Sequence, residues 1–164
     1  RKNKGKKYAF GVMAAWCLTV GAVALTGCQA KEAGSFLASI AKTHCKSGKK
    51  LAYIAGGETV VNITGHGKGG RNQEIALSAA EGIKGMSNAA VFSIGSDGTD
   101  GPTDAAGGYC DGDTAGVLKN KGIDIFEVLK NNDAYNALKL TEGLIITGPT
   151  GTNVNDVSVL LISY

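Results

Sequence analysis

The chain has 164 residues, enough for one ordinary domain or for one domain and a fragment. A composition that is 43% hydrophobic and 19% charged allows a buried core and excludes an intrinsically disordered chain. The net charge of +3 rests on Arg1, Lys2, Lys4, Lys6 and Lys7; the remainder is slightly acidic, which excludes the basic footprint of a nucleic-acid binder. That basic start leads into an uncharged run over residues 8–24 and then into Leu25-Thr26-Gly27-Cys28. The layout predicts, as one alternative, a bacterial lipoprotein signal over residues 1–27 that would anchor the chain through a lipidated Cys28. As a membrane span the run is marginal in length and weakened by Gly11 and Gly21, so the rival reading is a buried α/β segment. Cys17, Cys28, Cys45 and Cys110 have no C-x-x-C spacing, and His44 and His66 stand at no zinc-ligand interval from them. Those spacings predict reduced thiols in a cytoplasmic protein.

Downstream, Ala33, Phe36, Leu37, Ile40 and Ala41 recur at helical spacing and predict a helix over 31–42, stopped by Ser47-Gly48. A short strand is predicted over 51–55 and an alternating β-branched strand over 59–64, separated by the turn Gly56-Gly57-Glu58. A glycine-rich loop over 65–74 then feeds a helix over 75–81. The apolar run 89–94 reads as a buried strand, followed by an acidic loop over 96–104. Residues 104–110 are too glycine-rich to assign. Helices are predicted over 114–121, 124–130 and 133–140, with Asn131-Asn132-Asp133 as a capping turn. Residues 142–147 read as a strand of the kind buried in a sheet centre, residues 148–156 as a third polar loop, and 157–162 as a closing strand. This order predicts an α/β fold with a mixed, mostly parallel sheet flanked by helices, and with the polar glycine-rich loops at one edge.

The three loops carry the chemistry. The first offers Lys68 and Arg71 beside free N–H groups at a helix N-terminus, a ready site for phosphate or carboxylate. It lacks the Gly-Lys-Ser/Thr ending of a P-loop and the spacing of a dinucleotide fingerprint. The second brings Asp97, Asp100 and Asp104 with Thr99 and Thr103, hard oxygen groups suited to Mg²⁺ or to a substrate hydroxyl proton. The third brings Thr150, Thr152, Asn153 and Asp156. Cations, carboxylates and small polar groups gathered together are what phosphoryl transfer needs.

Gly56-Gly57-Glu58-Thr59, Gly67-Lys68-Gly69-Gly70-Arg71-Asn72-Gln73-Glu74, residues 97–107, Asn132-Asp133 and residues 148–156 follow one another in an order and spacing that resembles the C-terminal MOFRL domain of the glycerate 2-kinase family. Members of that family were long described as hydroxypyruvate reductases. A weaker resemblance runs upstream through Gln29-Ala30-Lys31-Glu32-Ala33-Gly34. The resemblance implies a two-domain enzyme that transfers the γ-phosphoryl of ATP to D-glycerate, giving 2-phosphoglycerate, with Mg²⁺ and an interdomain active site. It makes residues 51–164 the MOFRL domain and residues 1–50 the tail of a larger N-terminal domain. Most of that nucleotide-binding domain is absent from this chain, and a homodimer is one way to complete the cleft. Carried onto this sequence, Lys68, Arg71, Asp97, Asp100 and Asp104 become the catalytic set, with Asp97 and Asp100 as Mg²⁺ ligands. Asn72, Glu74, Thr99, Thr103, Thr150, Thr152, Asn153 and Asp156 become substrate contacts. NAD(P)H-dependent hydroxypyruvate reduction is the rival activity, opposed by the missing fingerprint. A non-catalytic module for small anions is the rival without chemistry.

Overall fold

The computed structural model describes residues 22–163. The basic start, most of the uncharged run and Cys17 lie outside the described residues. The elements in chain order are β1 (Ala22–Ala24), α1 (Ala30–His44), β2 (Leu51–Gly57), α2 (Arg71–Gly82), β3 (Ala89–Gly95), β4 (Gly107–Asp111), α3 (Thr114–Asn120), α4 (Ile125–Lys130), α5 (Ala134–Leu140), β5 (Leu144–Ile145) and β6 (Asp156–Ile162). Leu25-Thr26-Gly27-Cys28 forms the turn from β1 to α1, with Leu25 in the core and Cys28 exposed.

The six strands lie in the order β1-β2-β6-β3-β4-β5. The fold is α/β with helices against the sheet, but the expectation of a mostly parallel sheet is corrected. Among the described residues, β1 and β2 are the only named strands that pair in parallel, across the helical crossover α1, beside the isolated parallel bridge from Gln29 to Val60; the other strand pairings are antiparallel. The reason lies in β6. Strands β2 and β3 run the same way, joined through α2, yet the last strand inserts between them in the opposite sense. One late strand thus turns two pairings antiparallel.

Three further expectations change. Residues 59–64 form no strand beyond a single bridge from Val60 to Gln29. The N–H groups of Thr64 and Gly65 donate to the Asn132 side chain instead of to a ladder. The stretch 142–147 gives only the two-residue edge strand β5, half-buried, with Ile146 exposed beyond it. The unassigned glycine-rich stretch becomes β4, which pairs with β3 along its whole length.

The core lies between the sheet and its helices. Val91 of β3, Leu160 of β6 and Cys110 of β4 face Ile75 and Leu77 of α2, Leu37 of α1 and Leu138 of α5, all buried in one cluster. Helix α2 is the central one, packed against β3, β4 and α1. Its N-terminus is therefore held at a fixed place above the sheet edge.

Candidate active site

Because β2 and β3 run together and β6 runs against them, the carboxyl ends of the first two meet the amino end of the third. Gly57, Asp156 and Gly95 stand abreast in register. The polar loops gather at this edge. Asp156 is 5% exposed, and its carboxylate accepts from Arg71 of α2, on Oδ2 from Nε and on Oδ1 from Nη2 at 3.1 Å. Arg71 Nη1 reaches Glu58 Oε1 at 3.0 Å. The guanidinium is held above its ordinary pKa, chiefly by the hydrogen bonds to Asp156 and against the opposing effect of burial. Asp156 thus meets Arg71 rather than open solvent.

The acidic loop divides. Asp97 Oδ1 accepts from Thr99 N at 2.9 Å and Thr99 Oγ1 at 3.0 Å, which holds this carboxyl below its usual range. Asp100 is 3% exposed and turned onto α2. Its Oδ1 accepts from Asn72 N and Nδ2 at 3.1 and 3.2 Å, and its Oδ2 from Gln73 N at 2.9 Å. Burial pushes the Asp100 carboxyl up, against those hydrogen bonds. A Cβ on Gly70 would lie 2.4 Å from Asp100 Cγ, so the residue before α2 must be glycine for this cap to seat. Asn72, fully buried, also accepts from Ser93 Oγ, and Thr103 Oγ1 accepts from Gln73 Nε2 at 2.9 Å. Asn72, Asp100 and Thr103 therefore build the seat of α2.

The glycine-rich loop is laid down by the turn 131–133. Gly67 N donates to Asn131 O at 2.8 Å, and Lys68 N donates to Asp133 Oδ1 at 2.9 Å. Asn132, in the left-handed region at φ 56°, accepts from Thr64 N and Gly65 N and donates from Nδ2 to Glu74 Oε1 at 2.8 Å. Burial raises the pKa of Glu74, which is 4% exposed. Lys68 Nζ lies 4.0 Å from the centroid of the Tyr135 ring, whose hydroxyl donates to Asp104 Oδ1 at 2.7 Å. That hydrogen bond holds the Asp104 carboxyl below its usual range. The sequence reading missed Tyr135 and marked Asn132 as part of a capping turn and of the motif order that carries the resemblance. The signal available for Asn132 was a polar turn at a junction; for Tyr135 there was none.

The third loop folds back on the second. Thr150 Oγ1 donates to Ser96 O at 2.5 Å, Thr150 N donates to Asp97 O at 3.1 Å, and Val154 N donates to Ser96 Oγ at 2.7 Å. Gly98 sits at φ 86°, where a Cβ would meet Gly148 O, so the two loops close only around glycine. Thr152 and Asn153 stay exposed, and Asn153 Oδ1 accepts from Asn155 N within its own loop.

Beside Arg71 opens a cleft of about 670 Å³, in the size range of small-molecule sites. Its walls include Thr26 of the β1–α1 turn, Glu58, Ile63, Arg71, Glu74 and Pro102. Among the described residues no three His, Cys, Asp or Glu side chains converge into a metal cage. Cys28, Cys45 and Cys110 are unbonded thiols, and burial pushes Cys110 strongly up. No helix among the described residues is long and apolar enough to cross a membrane.

Residues 51–156 match the MOFRL family. The D-glycerate 2-kinase of Thermotoga maritima is 57% identical over 139 residues, which are 82% of this chain and 33% of that protein. The glycerate 2-kinase of Pyrococcus horikoshii is 48% identical over 140 residues, 82% of this chain and 32% of that one. A crystal structure of glycerate kinase from Thermotoga maritima superposes with a TM-score of 0.82 at 53% identity, covering 88% of this chain and 36% of the other. The chain therefore spans about a third of the length of the curated relatives it matches.

Proposed function

Since this chain belongs to the MOFRL family, we propose that it forms the C-terminal part of an ATP-dependent glycerate kinase, in which the γ-phosphoryl of ATP passes to D-glycerate to give 2-phosphoglycerate. The observation that carries the reading is the meeting of Gly57, Asp156 and Gly95 at one sheet edge, with Arg71 above it and the cleft alongside. The two relatives, both glycerate 2-kinases by name, supply the substrate class.

Within this reading Lys68 is the cation that meets the substrate. It is exposed and has no ion-pair partner among the described residues, so an anionic group of the substrate can take its charge. Arg71 is neutralised from below by Asp156 and shares Nη1 with the half-exposed Glu58. A substrate carboxylate displaces Glu58 and keeps the planar donor oriented. Asp97, its pKa lowered by Thr99, faces a cation, and Asp104, its pKa lowered by Tyr135, receives the acceptor hydroxyl proton.

Mg²⁺ fits the donor chemistry of this edge, because it takes one or two carboxylates and completes its shell with water and phosphate oxygens. Asp97 is a hard anionic donor of that kind. Asp100 does not fit the Mg²⁺ role given to it from sequence: its two oxygens already accept three N–H bonds. When bound, the ion supplies neutralisation of the phosphate oxygens. The nucleotide contacts belong to a larger N-terminal domain outside this chain.

The test is a hybrid enzyme. The matching third of the Thermotoga maritima kinase is replaced by this chain, and ADP release from Mg-ATP is followed with and without D-glycerate. D-glycerate-dependent turnover is the expected result. A hybrid that is folded by circular dichroism, does not turn over D-glycerate and oxidises NADH with hydroxypyruvate would overturn the kinase reading in favour of the reductase.

A further inference from the structure

Lys68 and Asp104 sit on separate loops, yet both are tied to one side chain. Tyr135 is the second residue of α5 and 8% exposed. Its backbone N–H donates to Lys68 O at 2.9 Å, its ring face lies 4.0 Å from Lys68 Nζ, and its hydroxyl donates to Asp104 Oδ1 at 2.7 Å. An aromatic face attracts an ammonium through its quadrupole, and a phenol hydroxyl orients a carboxylate by charge-assisted hydrogen bonding. A long lysine side chain on an exposed glycine-rich loop otherwise loses most of its rotamer freedom on meeting a ligand, at a cost to binding.

We propose that Tyr135 is a positioning residue: it holds Lys68 and Asp104 on one aromatic side chain as a preformed cation and carboxylate, placed before substrate arrives. The purpose of the pair rests on the kinase reading; its existence does not. Tyr135 touches neither ATP nor glycerate in this scheme. Its ring serves Lys68 and its hydroxyl serves Asp104, so the two roles separate by substitution. The charged groups around the Asp104 carboxyl are Lys68 and Lys139, and both persist in the variants below.

The first experiment needs no activity. The side-chain carboxyl of Asp104 is titrated by carbon NMR in the full 164-residue chain, in the wild type and in Tyr135→Phe. The wild-type midpoint is expected below the ordinary aspartate value. In Tyr135→Phe it is expected to move up toward that value, with the Lys68 side-chain shifts still showing an aromatic face. An unmoved Asp104 midpoint in a folded variant overturns the proposal, whatever the chain's activity. The second experiment uses the hybrid kinase with Tyr135→Phe and Tyr135→Leu. Tyr135→Phe is expected to lower kcat about tenfold, as loss of a hydrogen bond to a charged group, with KM for D-glycerate kept. Tyr135→Leu is expected also to raise that KM about three- to thirtyfold, as the cation loses its aromatic support. A wild-type hybrid that turns over while both variants match it in kcat and KM overturns the positioning role. A wild-type hybrid without turnover counts against the kinase reading alone, and the titration then decides the proposal.

Discussion

Glu74 is a carboxyl group in the first turn of a helix, where negative charge is ordinarily favoured, yet burial raises its pKa. Asn132 Nδ2 and the charge of Lys31 act to lower it, and neither offsets the loss of water. A raised folded-state pKa means the folded chain binds more protons than the unfolded one between the two pKa values. Stability contributed by this group is therefore present at low pH and lost as pH rises through its folded pKa. Glu74→Gln keeps an acceptor for Asn132 and removes the ionisation. The variant is expected to gain stability relative to the wild type as pH rises from 4 to 7, and to lose that advantage on acidification, in urea unfolding at each pH. A constant difference across the range would show that the fold leaves the Glu74 pKa where the unfolded chain has it. Local sequence marks Glu74 as a polar residue in a helix start; its hydrogen-bond partner Asn132 is distant in sequence. The same holds for Arg71, whose type was legible as an anion-binding cation while its partners Asp156 and Glu58 were not.

At the scale of the element, α2 begins four residues earlier than its apolar periodicity suggests. Residue 70 is a glycine with no side chain to cap, and no local acceptor is in view. The cap arrives from the next loop: Asp100 takes the N–H groups of Asn72 and Gln73. A cap supplied from so far along the chain leaves no signature in the helix sequence, so the start was not readable there. Helix α4, by contrast, is capped by its own Asp124, through Phe126 N and Glu127 N, and its start was read correctly. Asp100→Ala strips the acceptor from two backbone N–H groups and from Asn72 Nδ2, all buried. The expected loss is about 2–4 kcal/mol in urea unfolding, from unsatisfied buried donors at a helix end. Asp100→Asn, which keeps one oxygen, should lose less. A loss under about 0.5 kcal/mol in Asp100→Ala would mean that water or a shifted loop replaces the cap.

Over the whole molecule, the strand that decides the architecture is the last one. Apolar runs gave the positions of β2, β3 and β6 and hence the gathering of polar loops at one edge, since an edge is fixed by where runs stop. Strand order is a matter of long-range pairing, and no local pattern says that residues 156–162 insert between β2 and β3 rather than beside them. Continuous apolar runs read as parallel strands because both kinds are buried; here the burial of β6 comes from its central place. That place has a dynamic consequence. Strand β6 pairs along Asp156–Ile162 with β2 on one side and β3 on the other, so its amides point into a ladder in either direction. Strand β5 holds only Gly107 and Gly108 of β4, and β1 pairs through three residues. Opening β5 exposes little apolar surface, whereas freeing β6 separates the sheet into two halves and uncovers Leu160. Native-state hydrogen exchange should therefore rank Val159 and Leu160 among the slowest amides, exchanging only by global unfolding, with Ile145 at least about a hundredfold faster through local opening. Amides of β5 as slow as those of β6 would mean that the edge strand and the centre open together, and that the sheet is one cooperative unit rather than a central pair with a loose rim.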